Sequence, residues 1–369
     1  VLADLAGLTQ GYIAQIESGL SPLDKRSTQL VLARALQVSL ADLTGQPYDP
    51  TTLEHSAATR HFPALRAAMA ELSFGVTEPA EDPPADLDAA MAEVTQLHNA
   101  CRYDDLMARL PGLILTLGTD RENPVMARRL VWVMYAATFA AKYLGHADLA
   151  MLAAQECRAT ALAVSDEPEW LGMAEFAIVH TVPSEARSLP LRRAAQAIDR
   201  LDFAAGHRRA GQVYGMLHLS SAMLSAVDGN GERSRDHLQQ AATTAARLGE
   251  GNFGQLWFGP TNVGIWRYGV LAELNEGGAA VSLPPMDVSL IGSSNRQATM
   301  YADLGRCLAQ TRKHDLEAQT ALLRAEEIAP QRIRLSPLVR ETVGSMLRRA
   351  RRSAGGRELQ ALAARIDSA

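Results

Sequence analysis

The sequence predicts an all-α chain in two parts, a pair of short helices meeting at a glycine turn and then a long run of stacked helix pairs. Three observations carry this. Residues 1–45 alternate short segments bearing one apolar face with turn residues at Gly7, Gly19 and Gly45. Beyond residue 86 the helical periodicity is interrupted roughly every 40 residues by a short polar turn, a period that signals stacked helix pairs. Aromatic residues make up only 5% of the chain, while Ala and Leu are abundant, which favours helices packed through small side chains.

The N-terminal elements can be justified residue by residue. Leu2, Leu5 and Ala6 give a first helix one apolar face, and Gly7 stops it where a positive φ costs glycine little. Leu8 can fold back onto that helix. Thr9 is a good N-cap for the next one. From there Ile13 and Ile16 point inward at helical spacing. Gln10, Gly11, Tyr12 and Gln15 are left facing outward, and Glu17-Ser18-Gly19 ends the helix. Glutamine pairs in bidentate fashion with adenine N6 and N7 in the major groove. Gly11, lacking a side chain, lets the helix approach a groove closely. The Thr9-capped N-terminus offers backbone amides to a phosphate.

This segment resembles the helix-turn-helix of the XRE family, the phage-repressor and Cro-like proteins. The matching pattern is Leu2-Ala3, Ala6-Gly7-Leu8-Thr9-Gln10, Ile13, Ile16-Glu17 and Gly19, continued by Leu30, Leu32-Ala33, Leu36, Val38-Ser39 and Leu43. The resemblance implies that Gln10, Gly11, Tyr12 and Gln15 lie on the base-reading helix. It also implies that Thr9, Ser18, Lys25 and Arg26 lie near phosphates of a double-stranded DNA operator. Two recognition helices are needed for paired half-sites, so a homodimer is expected. Members of the family carry a helix ahead of the one that opens this chain. The chain starts at Val1, so residues 1–48 are expected to be a helix-turn-helix domain lacking its first helix. Lys25, Arg26 and Arg34 are set against Asp4, Glu17, Asp24 and Asp42. The basic footprint of a DNA-binding face is therefore weak in this segment.

Pro47, Asp49 and Pro50 break the helical pattern. One helix is expected over Thr52–Leu72, followed by Gly75–Asp86 with three prolines and four acidic residues, too poor in helix formers to make helix or core. Residues 49–85 thus read as a linker containing one helix. The remainder, 86–369, reads as the repeat domain. Its turns are Cys101-Arg102-Tyr103-Asp104, Tyr143-Leu144-Gly145-His146-Ala147-Asp148, Asp228-Gly229-Asn230-Gly231, Asn275-Glu276-Gly277-Gly278 and Lys313-His314-Asp315, with one skipped near Ser184–Pro190. Small residues follow several of them, as in Ala150, Ala153, Ala154 and Ala161. This resembles degenerate tetratricopeptide repeats, best at Gly145-His146-Ala147-Asp148. The full Trp-x-x-Leu-Gly-x-x-Tyr signature is intact nowhere. The resemblance implies an α-solenoid, with a plain helical bundle as the alternative. The two parts together look like actinobacterial XRE/tetratricopeptide regulators, and are similar to peptide-sensing regulators of Gram-positive bacteria.

A solenoid's concave surface suits a peptide or small-molecule effector. The densest candidate is residues 252–268, where Trp257, Phe258, Trp266 and Tyr268 stand out from an aromatic-poor background. Within it, Asn262 could pair with a peptide backbone and Arg267 with a carboxylate. Trp257, Asn262, Trp266 and Arg267 are the effector-binding candidates, and core packing is the alternative role. Arg102, His180 and Tyr214 are weaker ones. From Gln331 onward nine arginines face three acidic residues, a run that either touches DNA or forms the solvated face of a capping helix.

Phosphate-binding loops, zinc-hydrolase His pairs, Cys-x-x-Cys and nucleophile-elbow signatures are absent, so no enzyme and no cofactor is expected. His98 and Cys101 lie one helical turn apart, but two ligands do not make a metal site. Three dispersed cysteines fit a reducing cytoplasm. No apolar run reaches the ~18 residues of a membrane span, and a net charge of −5 does not suggest polyanion binding along the whole length. The expected function is a DNA-binding transcriptional regulator whose repeats sense an effector. The alternative is a tetratricopeptide-like interaction scaffold with a vestigial helix-turn-helix.

Overall fold

A computed structural model of the chain describes residues 1–46, 58–164, 166–183, 186, 188–202, 207–284, 286–350 and 357–367. Every regular element among them is helical, as the composition and periodicity predict. The chain divides into two compact units. One comprises Val1–Asp49, Ala222–Asp236 and Gly264–Ala369, the other Pro50–Ser221 and His237–Val263.

The first four helices are α1 (Leu2–Ala6), α2 (Gln10–Glu17), α3 (Arg26–Leu36) and α4 (Leu40–Thr44). Gly7 terminates α1 at φ 64° and its N–H returns to the carbonyls of Ala3 and Asp4. Ala6, Ile13 and Leu32 form a small core, flanked by Leu2, Leu8, Ile16, Leu23 and Leu43. The inward positions read from the sequence, Ile13 and Ile16, are among them. A capping box starts α4, where Ser39 Oγ accepts from the Asp42 N–H and Asp42 accepts from the Ser39 N–H.

The second unit is built on α5 (Phe62–Phe74), α6 (Leu87–Asn99), α7 (Tyr103–Gly118), α8 (Pro124–Tyr143), α9 (Ala147–Ala161), α10 (Pro168–Val179) and α11 (Leu189–Asp202). Consecutive helices from α7 to α11 pack against each other. The turns at residues 100–102 and 144–146 fall where the polar interruptions predict. In α8, Ala127, Ala136, Ala137, Ala140 and Ala141 are all fully buried, as are Ala153, Ala154, Cys157 and Ala161 in α9. Small facing residues let the two backbones approach, which is why each methyl-sized position is Ala or Cys. Burial pushes the Cys157 thiol above its ordinary pKa. Tyr135, Phe139, Phe176 and His180 form a ring cluster, with Phe176 and His180 centred 4.5 Å apart. Glu175, 2% exposed, is clamped by Arg158 and Arg193.

The helix expected in the linker is Phe62–Phe74, and it is not linker in character. Leu65, Met69 and Leu72 are completely buried, and α5 packs on α7. Its Leu/Met stripe at i, i+4, i+7 is core spacing, which a boundary drawn on the following proline-rich loop concealed. That loop, Gly75–Asp86, is non-helical as expected. The upstream part of the expected helix, 52–57, lies outside the described residues, as do 184, 185 and 187 of the skipped turn near Ser184–Pro190.

Three further helices, α12 (Arg208–Val227), α13 (Gly231–Leu248) and α14 (Pro260–Glu273), contribute residues to both units. The first unit is completed by α15 (Ser294–Ala309), α16 (Asp315–Ile328), α17 (Pro330–Arg334), α18 (Pro337–Ala350) and α19 (Arg357–Asp367). Among the described residues no helix is long and apolar enough to cross a membrane.

Candidate nucleic-acid interface

Helix α2 presents the candidate base-reading surface. Thr9 sits in extended conformation, φ −76° and ψ 146°, and its Oγ1 accepts from the Tyr12 N–H at 3.2 Å. This is the N-cap predicted from the sequence. Ile13 anchors the helix in the core, so the opposite face is left outside: Gln10, Gly11, Ala14 and Gln15 are all exposed. A β-carbon at Gly11 would meet nothing within 4 Å, so the face is flat there by the absence of a side chain and not by crowding. Tyr12 is half-buried at its edge.

The residues after α2 are tied down. Gln15 Oε1 accepts from Ser21 Oγ at 3.0 Å, and the Gln15 carbonyl accepts from Ser18 Oγ. Of the two glutamines expected to read bases, Gln10 therefore has both ends of its amide uncommitted, whereas Gln15 has its oxygen engaged. Ser18 spends its hydroxyl on its own helix. Gly19 turns the chain at φ 68°, and the Arg348 side chain lies where a β-carbon would project. Arg348 Nε donates to the Gly19 carbonyl at 2.8 Å. The arginine-rich C-terminal run is thus not only a solvated face. Arg348 holds the turn after α2, and Arg349 pairs with Asp315 at 2.7 Å. Residues 351–352 of the run lie outside the described residues.

Helix α3 begins at Arg26 with Lys25 as an N-cap that supplies no side-chain acceptor. Its N-terminal amides, which would suit a DNA phosphate, are already used. The Arg26 and Ser27 N–H groups donate to the two carboxylate oxygens of Glu273 at 3.2 and 2.7 Å. Glu273 is 4% exposed. Any phosphate contact at Lys25 and Arg26 must therefore come from their side chains, half-exposed and exposed respectively.

Behind this helix start is a buried polar cluster. Arg306, 4% exposed, donates to Asp303 and to the Asp24 carbonyl, both at 2.7 Å, and lies 3.8 Å from Glu273. Burial works against its charge, but Asp303, Glu273 and Asp24 outweigh it and hold its pKa above the ordinary value. Asp24 is also buried, and burial raises its carboxyl above the usual range against the pull of Arg306, the Thr342 hydroxyl and Lys25. Thr342 Oγ1 donates to Asp24 at 3.2 Å. Glu273, Arg306, Thr342 and Arg348 are the functional neighbours that sequence reading missed. Each lies hundreds of positions from its partner, and only the arginine run gave any signal.

No family model, curated protein or solved structure matches the chain.

The effector candidates are dispersed in character. Asn262 is completely buried, with Nδ2 donating to the Leu256 carbonyl at 3.2 Å and lying 3.5 Å from Met216 Sδ. Trp266 is 9% exposed, with the Arg296 guanidinium 5.6 Å from its ring centroid. Trp257, half-buried at φ 53°, donates from Nε1 to Asn99 at 3.3 Å. Arg267 alone is exposed. Asn262 and Trp266 are packing residues, because α14 is buried on almost every face. A local excess of aromatics marks a core as readily as a ligand surface. Among the weaker candidates, Arg102 pairs with Asp105, His180 Nε2 lies 3.1 Å from Ser220 Oγ, and Tyr214 accepts from Gln240. Among the described residues no three His, Cys, Asp or Glu side chains gather as a metal site.

Proposed function

We propose that this chain is a DNA-binding transcriptional regulator of XRE type that reads the major groove with α2. It acts as a homodimer on a double-stranded operator, and its tetratricopeptide-like helical repeats sense a small effector. The observation that carries the reading is the exposed, side-chain-poor face of Gln10, Gly11, Ala14 and Gln15 on a helix capped by Thr9. A bare Gly11 permits close approach, and the free Gln10 amide is a donor–acceptor pair suited to adenine. Lys25, Arg26 and exposed Arg34 supply the backbone charge. With so few cations the non-specific component of affinity is modest.

Fluorescence-anisotropy titration with DNA from upstream of its own gene tests this. Tighter binding than to random duplex, weakening as salt rises, is the expected result. Equal affinity for both duplexes argues against it. The scaffold reading draws support from the commitment of the α3 amides to Glu273, a use of that helix start which serves folding and not DNA. It predicts no binding to either duplex.

A further inference from the structure

A polar cleft of about 280 Å³ opens beside the candidate recognition helix, within the first unit. Tyr12 from α2 and Asp24 and Lys25 from the turn before α3 form one side. Asn275 from the turn after α14, and Thr342 and Arg349 from α18, also line it. The volume is at the small end of ligand pockets.

The chemistry of the lining follows from counting what is already spent. The single hydroxyl hydrogen of Thr342 is taken up between the Leu338 carbonyl at 2.8 Å and Asp24 at 3.2 Å. Arg349 is oriented by Asp315, Ser345 and the Ala309 carbonyl. By contrast the described hydrogen bonds leave the Lys25 ammonium, the Tyr12 hydroxyl and the Asn275 side-chain amide unused. Those groups offer up to six donor hydrogens. Against them stands the Asp24 carboxyl, which faces Arg306 on its inner side. Glu273 and Asp303 do not line the cleft. Their charge is directed onto Arg306 and the start of α3. The open space is thus rich in donors, with two cations in its wall, and suits an occupant rich in acceptors.

We infer that this cleft binds a small anion, a phosphate- or carboxylate-bearing metabolite, held by Lys25, Asn275 and Tyr12. Lys25 is one of the few cations offered to DNA. An occupant that claims its ammonium weakens DNA binding and gives the regulator its effector input. That consequence rests on the DNA-binding reading, whereas anion binding itself does not.

The test uses the full chain and two probes, inorganic phosphate and citrate, at ionic strength balanced with chloride. Isothermal calorimetry and thermal denaturation are expected to show saturable binding, with a midpoint that rises with the logarithm of probe concentration. Phosphate alone acting assigns a phosphate-bearing ligand, and citrate alone a carboxylate. Lys25→Ala and Asn275→Gly are expected to abolish the effect. Glycine is chosen because Asn275 has φ 61°, which alanine would strain. Arg233→Ala, at an exposed arginine that does not line the cleft, should leave it intact. No effect beyond chloride, or an equal effect in Lys25→Ala and Asn275→Gly variants that keep the wild-type midpoint without probe, overturns the site. Anisotropy with operator DNA then tests the consequence. The anion should weaken wild-type binding about tenfold and leave Asn275→Gly unaffected. Anion binding with DNA affinity unchanged overturns the coupling alone. Anion binding in a protein with no DNA affinity overturns the regulator reading and leaves the site standing.

Discussion

Replacing Glu273 by Ala should release the start of α3. The Glu273 side chain is 1% exposed and its two oxygens take the Arg26 and Ser27 amides at 3.2 and 2.7 Å. Each bond to a charged acceptor contributes about 1.5–3 kcal/mol. Arg26 lies toward solvent, so water can recover part of the loss. Arg306, 3.8 Å away, keeps Asp303 and the Asp24 carbonyl but loses one balancing charge. Breaking one side of a buried ion pair costs about 3–5 kcal/mol, and the two routes converge on that range. Glu273→Gln retains one acceptor for the shorter Ser27 bond and should lose roughly half as much. Hydrogen exchange at the Arg26 and Ser27 amides, with urea denaturation of the full chain, reads the effect. Faster exchange confined to the first unit is expected. A loss below about 1 kcal/mol with unchanged exchange in α3 would refute the reasoning.

Three other outcomes follow from particular contacts. His218 Nδ1 lies 2.9 Å from His237 Nδ1, and burial, then His237, lowers its pKa from 6.5 to about 4. The folded state therefore holds it neutral, so its contribution is present above pH 6.5 and is lost as pH falls toward 4. The loss is about 3 kcal/mol over that window, and the urea midpoint of His218→Asn should fall less steeply with acidification than that of the wild type. Gly11→Ala should keep or slightly raise the thermal midpoint, since alanine is favoured over glycine by about 1 kcal/mol in a helix and meets no neighbour. The same methyl should weaken operator binding, and an unchanged DNA affinity would remove Gly11 from the contact face. In Gly215→Ala the new β-carbon would overlap the fully buried Phe258 ring. A loss of about 1–3 kcal/mol is expected in chemical denaturation, and a neutral result would mean that Phe258 can move aside.

The features that were legible in the sequence are local ones. Gly7, Thr9 and Gly19 fix the ends of α1 and α2 through backbone conformation and capping, which depend on neighbours a few residues away. The turn at Gly145-His146 and the alanine spacing after it declare the α8–α9 hairpin for the same reason. What could not be read is long-range pairing. Nothing near Glu273 says that its carboxylate will cap a helix starting at Arg26, and nothing near Arg348 points to the Gly19 carbonyl. Asn262 and Trp266 show the other limit, because residue type cannot distinguish a side chain packed in the core from one aimed at a ligand. Residues 62–74 precede a proline-rich loop that draws the eye to a boundary, while their own Leu/Met spacing matches the buried stripe.

The central claim is that the exposed edge of α2 reads bases, and Gln10→Ala tests it most directly. Its affinity should be measured for the operator and for duplexes changed at single positions. The account predicts a loss of about 1–3 kcal/mol that vanishes when one particular base pair is altered. A uniform loss across all duplexes, or none, would contradict it.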